Sequence, residues 1–271
     1  MITAYFFLFA PEARRHSRDY LRRALSRSPT AGDRFRHILA FASTIHDRVF
    51  LLNGRLDLFD IAIEGDRLLL SALEKRGGAL LMGAHLGSFE VLRAIGRSQT
   101  GRDVAMAMYA DNARKVSATL EALNPRLKAD IIPLGQLSAM LEIRDRLEAG
   151  ALVGMLGDRS TGDEPGQQCM FLGAPAVFPV GPFRVAAMLR CPVYFMAGLY
   201  LGGNRYRIVL ERIADFSSVS AGVGASAVGV AVQEYAAAVE RHCRAQPYNW
   251  FNFFDFWQVR PVAGSGQGRS R

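Results

Sequence analysis

The segment Gly83-Ala84-His85-Leu86-Gly87-Ser88-Phe89-Glu90 places a histidine and a carboxylate five residues apart, directly after the apolar run Ala79–Gly83. A histidine oriented by a carboxylate is the minimal apparatus for taking a proton from a hydroxyl. On one continuous helix this spacing would set the two side chains about 140° apart. They can meet if His85 sits on a strand-to-helix turn and Glu90 lies just inside the helix. Glu90 would then hold the imidazole tautomer and stabilise the imidazolium, so both residues are candidate catalytic groups. Gly87 lets such a turn be tight and lets backbone approach a ligand. The N–H groups and positive end of the following helix would face the same spot. A structural reading uses the same residues, with His85 capping a helix and Glu90 paired with an arginine such as Arg93.

Ser88 is a poor nucleophile candidate. The turn reads G-x-H-x-G, which puts the histidine where a nucleophile elbow would hold serine. A capping role is expected for it, and Gly87 and Ser88 are counted with the substrate-binding residues. Asp158 and Arg159 follow the apolar run Ala151–Leu156, and the carboxyl ends of strands are where open α/β sheets bind ligands, so both are candidate substrate contacts. Arg159 can pair with Asp158 or Glu164, or bind a phosphate or carbonyl oxygen of a substrate. Arg114, with Lys115, is a further candidate for a phosphate. The aromatic cluster Trp250–Trp257 has no clean period of two or 3.6. It is read as a core plug, with the lining for an apolar substrate chain as the competing role.

These residues need a scaffold that brings strand ends together. Short apolar runs at 79–83, 103–108, 129–133 and 151–156 alternate with helical stretches at 89–95, 112–123 and 138–147. That alternation predicts an α/β fold with a mainly parallel central sheet flanked by helices. Leu56–Ile63 reads as an edge strand. Gly157–Pro182 is rich in Gly and Pro and reads as a long functional loop. A helix over 183–189, strands over 193–199 and 205–211 joined at Gly202-Gly203-Asn204, and a long helix over 227–244 complete the pattern. Residues 1–260 form a single domain in this reading. Its first 28 residues are an aromatic and basic membrane-proximal segment, and 261–271 is a disordered tail of linker composition.

Of 271 residues, half are apolar and 21% charged, which excludes a disordered or fibrous chain. The net charge of +8 favours anionic partners. Cys169, Cys191 and Cys243 form no C-x-x-C pair or Cys/His cluster, which argues against a disulfide framework or structural zinc. No apolar run reaches the roughly 18 residues needed to span a bilayer. The run Ile2–Ala10 is followed by Arg14, Arg18 and Arg22, four apart on one helical stripe, like an element that lies on a membrane surface. A buried segment followed by a solvated helix fits the same residues. Nucleic-acid binding is disfavoured because the basic residues are scattered and no groove-reading motif occurs. Nucleotide-binding glycine motifs are absent as well.

The box His85-x4-Glu90 after an apolar strand resembles the H-x4-D/E box of lysophospholipid-type glycerolipid acyltransferases. More narrowly, the chain resembles their lipid A lauroyl/myristoyl branch. Tyr5–Arg15, Met108–Asn112 and Phe171–Ala176 followed by Pro179-Val180-Gly181-Pro182 extend the likeness over roughly residues 4 to 258. The sequence departs from the family's pattern in three places. Only Ile2–Ala10 stands where the family has a longer apolar anchor, which implies peripheral attachment or a shortened chain. Asp158-Arg159 replaces a common Asp-Gln, and the ending Trp250–Trp257 lacks the family's His and Arg, closer to a branch acting on aryl polyene lipids.

The resemblance implies acyl transfer, without a cofactor or metal, from an acyl carrier protein thioester to a hydroxyl of a lipid acceptor. Acyl-CoA is the less favoured donor. The implied place is the cytoplasmic face of the bacterial inner membrane, where an anionic surface suits the positive chain. Two other readings compete with it. In one, an acyl-thioester hydrolase uses water at His85; in the other, a non-catalytic module binds lipid or carrier through its basic N-terminal face.

Overall fold

Three continuous apolar runs form the middle of the sheet. In the computed structural model, which describes residues 10–93, 101–109, 131–159, 165–218 and 224–257, these runs become β2 (Ala79–Gly87), β5 (Leu152–Leu156) and β8 (Pro192–Gly202). Consecutive residues of β2 are buried on opposite faces. Leu80 and Met82 join the larger core, while Ala79 and Leu81 join the smaller one. A strand covered on both faces must be apolar at every position rather than at alternate ones.

The edge strand β1 (Asp60–Glu64) alternates exposed and half-buried residues instead. The edge expected over 56–63 therefore begins four residues later, because Leu56–Leu58 closes a 3₁₀ turn first. With β3 (Val104–Tyr109), β4 (Ile131–Leu134) and β9 (Arg205–Asp215), the strands order as β1-β9-β8-β2-β5-β3-β4. Neighbours are parallel except β8 and β9, a hairpin turning at Gly202 and Gly203. The fold is α/β with a mainly parallel seven-stranded sheet flanked by helices.

Helices α1 (Pro11–Ala24) and α2 (Ala31–Leu52) precede the sheet. Pro11 opens α1 where its missing N–H costs nothing. Ser17, Tyr20, Leu21 and Ala24 face inward from α1, while Arg18 and Arg22 are exposed and Arg14 is half-buried. Thr30 and Asp33 close a reciprocal capping box on α2. Helix α3 (Asp66–Arg76), bounded by Gly65 and Gly77, is an element the sequence pattern did not disclose. Helix α4 (Leu137–Glu148) connects β4 to β5, and α5 (Gly181–Met188) precedes β8.

Helix α6 (Gly224–Ala245) lies over the larger core, where Tyr235 meets Phe178, Phe183 and Phe195. Burying each such ring contributes about 2–3 kcal/mol. The stretch expected to be one long loop over 157–182 instead contains an antiparallel hairpin, β6 (Gly166–Phe171) and β7 (Ala174–Pro179). Gly166 and Pro179 mark the ends of that hairpin and Gly173 its turn, with Leu172 and Gly173 at positive φ. The expected helix over 112–123, Met1–Phe9 and the tail 261–271 lie outside the described residues. Among the described residues, no helix is long and apolar enough to cross a membrane.

Candidate active site

Parallel register brings two distant residues to one place. Strands β2 and β5 pair from Ala79 with Leu152 to Gly83 with Leu156. His85 and Asp158 each lie two residues beyond that last pair, side by side at the carboxyl end of the sheet. Here β2 also slips its register against β8 between Gly83 and Gly87. Its free edge is taken instead by the C-terminal segment. Phe251 N–H donates to the His85 carbonyl at 2.8 Å, and Gly87 N–H donates to the Asn249 carbonyl at 2.9 Å. His85 thus stands on an extended strand, not on the strand-to-helix turn that its spacing suggested. The following helix opens at Phe89.

Asp158 is fully buried and accepts three hydrogen bonds. His85 donates its backbone N–H to Oδ2 at 2.9 Å, and the ring approaches Oδ1 through Nδ1 at 2.8 Å. The Trp250 indole N–H completes the set, at 3.0 Å from Oδ2. Burial alone would push the Asp158 carboxyl up. The adjacent His85, its hydrogen bonds and the Arg159 charge outweigh that and hold it at about 2. At neutral pH the carboxylate can only accept, so the Nδ1 proton belongs to His85, and in the neutral imidazole it is Nε2 that carries the lone pair. The imidazole keeps 31% of its surface exposed. Among the described residues none hydrogen-bonds Nε2. The pair therefore has its tautomer fixed and one nitrogen open, an arrangement able to take a proton from a substrate.

The expectation that Glu90 orients His85 is corrected by this geometry. Glu90 reaches back to α2, where its Oε1 lies 2.7 Å from Arg48 Nε. The Nε–H is not aimed along that line, so the contact is an ion pair without a formed hydrogen bond. Asp158, taken from the sequence as a substrate contact, occupies the orienting position instead. Its neighbour Arg159 donates Nη2–H to the Phe251 carbonyl at 2.9 Å and lies over the Phe254 ring at 4.8 Å. Burial lowers the Arg159 pKa, with the Asp158 charge opposing the shift.

Gly87 has φ +75°, and a Cβ there would stand 2.0 Å from the Gly198 carbonyl oxygen. Only glycine permits that approach of β2 to β8, and the amide is already engaged by Asn249. Ser88 donates its backbone N–H to Gly198 at 2.7 Å. Its buried hydroxyl, expected to cap the helix, has no partner among the described residues. Arg114, Lys115 and Glu164 lie outside the described residues.

Two contributors escaped the sequence reading. Trp250 was counted as core, and it does pack edge-on against Tyr20, Phe171 and Phe256. It also supplies Asp158 with a donor. His37 of α2, fully buried, reaches the Trp250 carbonyl through Nε2 at 2.8 Å. The only signals for either were a tryptophan with one polar atom in an aromatic cluster and a lone histidine on an inward helix face.

The three cysteines are free and buried. Burial pushes the thiol of Cys169 up, that of Cys191 to about 12 and that of Cys243 higher still, so none is a ready thiolate. Among the described residues no group of three or more His, Cys, Asp and Glu is placed to hold a metal ion. No curated protein matches the chain significantly. A family model described as bacterial lipid A biosynthesis acyltransferase matches residues 44–258, and the chain belongs to that family.

Proposed function

We propose that this protein, a member of the bacterial lipid A biosynthesis acyltransferase family, moves a fatty acyl group from an acyl carrier protein thioester to a hydroxyl of a lipid A-like acceptor. The observation that carries the reading is the His85–Asp158 bond at 2.8 Å, which leaves Nε2 as an open base. Nε2 takes the proton of the acceptor hydroxyl as its oxygen attacks the thioester carbonyl. Asp158 stabilises the imidazolium that forms. Collapse of the tetrahedral intermediate breaks the carbon–sulfur bond, and the imidazolium returns the proton to the leaving thiolate. The thioester supplies the activated acyl group, so the step calls for no cofactor and no acyl-enzyme.

The oxyanion needs donors. The backbone N–H groups of His85, Gly87 and Ser88 are already engaged by Asp158, Asn249 and Gly198. We assign the charge to the guanidinium of Arg159, which follows Asp158 at the same strand end. Glu90, held by Arg48, and Arg114 are assigned to the acceptor. Gly87 and Ser88 shape the floor of the site rather than donate to it. A net charge of +8 suits the acidic surface of a carrier protein and speeds encounter with it. Exposed Arg18 and Arg22 on α1 suit anionic lipids. Both fit work at the cytoplasmic face of the inner membrane, where carrier and lipid meet.

Thioester consumption from acyl carrier protein substrates tests the reading, with and without a bacterial lipid extract and with His85→Ala in parallel. Consumption that requires the extract, and falls by about 10²–10⁴ in the variant, is expected. The labelled product names the acceptor and separates lipid A precursors from aryl polyene lipids. Consumption that proceeds equally well without extract would replace the transferase with a hydrolase. A folded His85→Ala protein with normal turnover would end the base assignment.

A further inference from the structure

A chain of four hydrogen bonds runs from α1 to the imidazole of His85. Ser17 Oγ lies 2.9 Å from His37 Nδ1, and His37 Nε2 lies 2.8 Å from the Trp250 carbonyl oxygen. Trp250 Nε1 lies 3.0 Å from Asp158 Oδ2, and Asp158 Oδ1 lies 2.8 Å from His85 Nδ1. The direction of each bond is fixed by its partners. A backbone carbonyl only accepts, so His37 Nε2 carries the proton. Its Nδ1 then accepts from the Ser17 hydroxyl.

His37 is 0% exposed, and burial lowers its pKa to about 4, so it stays neutral and both of its nitrogens are satisfied. Its ring also stacks on Phe251 and packs at a tilt against Tyr20 and Phe253. The peptide it holds is the one that matters. Trp250 bridges to Leu86, and the next residue, Phe251, donates to the His85 carbonyl. A shift of that peptide would move the indole N–H away from Asp158 and loosen the backbone of His85 together.

We propose that His37 is a positioning residue, setting the orientation of the His85 base through the Trp250 peptide and the Trp250–Asp158 hydrogen bond. The inference rests on the transferase reading for its meaning but not for its test. Three donors hold the Asp158 carboxylate in one rotamer; removing the only one that does not come from His85 leaves it anchored by His85 alone, with fewer bonds to fix the ring. Packing alone would require the ring of His37, whereas positioning requires its N–H.

Glutamine and asparagine separate the two, since Gln extends an amide N–H to about the place of Nε2 and Asn falls short of it. The experiment uses the full chain without substrate and follows the His85 Nδ1–H proton by NMR, together with kcat and KM in the transferase assay. Trp250→Phe is expected to speed solvent exchange of that proton about tenfold and to lower kcat about tenfold, with KM within about twofold. His37→Asn should act in the same direction, and His37→Gln should resemble wild type. Combined with Trp250→Phe, His37→Asn should add nothing further, because both act through one contact.

Effects of His37→Asn and Trp250→Phe that multiply would overturn the proposal. So would a folded His37→Asn protein whose His85 proton exchanges as in wild type. Should His37→Asn fail to fold, Trp250→Phe alone decides: an unchanged His85 proton refutes the relay. The exchange measurement needs no turnover, so an inactive wild type would refute the transferase reading and leave this test standing.

Discussion

Asp158 meets His85 twice, once at the imidazole Nδ1 at 2.8 Å and once at the backbone N–H at 2.9 Å. A single buried carboxylate therefore fixes both the ring and the strand that carries it. Asp158→Asn would present an amide that can offer N–H to Nδ1 and stabilise the wrong tautomer, turning the lone pair away from the substrate. Transfer activity is expected to fall by about 10³-fold or more, with KM little changed. Steady-state kinetics on the variant, with a circular dichroism spectrum to verify folding, checks this. A loss confined to KM would mean that Asp158 binds substrate and does not orient the base.

Glu90 behaves differently in this geometry, because its charge is spent on Arg48 at 2.7 Å rather than on His85. Glu90→Gln should leave the His85 Nδ1–H signal in place. Its effect on transfer should appear as weaker acceptor binding. The Arg48 side chain is 35% exposed, so the lost ion pair itself should cost at most about 1 kcal/mol of stability. A vanished His85 signal in Glu90→Gln would restore Glu90 as the orienting group.

How far the sequence disclosed this site follows from chain distance. His85 was legible because an apolar run, two glycines and a carboxylate surround it within eight residues. Its true partner is 73 residues away, and only strand register makes them neighbours. The clue was present: each residue stands two positions after an apolar run, though nothing in either run says which strands lie adjacent. Trp250 and His37 are 213 residues apart, and each reads locally as core. The same limit explains the fold. Runs buried on both faces announced the central strands, while α3 stayed hidden because Leu68 and Leu70 remain exposed and give no amphipathic stripe. Pro and Gly at 157–182 signalled turns but could not say that two strands lay between them.

Gly87 should tolerate no side chain. Its positive φ disfavours a Cβ, and that Cβ would lie 2.0 Å from a carbonyl oxygen of β8, an atom that cannot rotate away. Gly87→Ala is expected to destabilise the fold by about 3 kcal/mol or more, or to prevent folding. Gly173 is the control, with φ +79° but open space around its Cβ position. Gly173→Ala should cost only about 1–2 kcal/mol of backbone strain. Urea denaturation of both variants compares them, and equal losses would show that backbone strain, not the close approach of β2 to β8, decides at Gly87.

Acid should weaken the fold before the buried Asp158 is protonated. Burial of His37 lowers its pKa from about 6.5 to about 4. Between those values the unfolded chain binds a proton that the folded chain refuses, so stability rises with pH across this window. The contribution is fully present above about pH 6.5 and is lost as pH falls through about 4, up to about 3 kcal/mol in all. Below that, Asp158, held at about 2 by His85 despite its burial, adds a second loss between about pH 4 and 2. Asp33, held low by Arg27 and Tyr248, acts in the same direction. The unfolding free energy measured in urea at pH 7 and at pH 4.5 should therefore differ substantially in wild type. In His37→Gln, which has no proton to gain, the difference should shrink by the His37 share. A His37→Gln protein with the wild-type pH dependence would place the titrating group elsewhere.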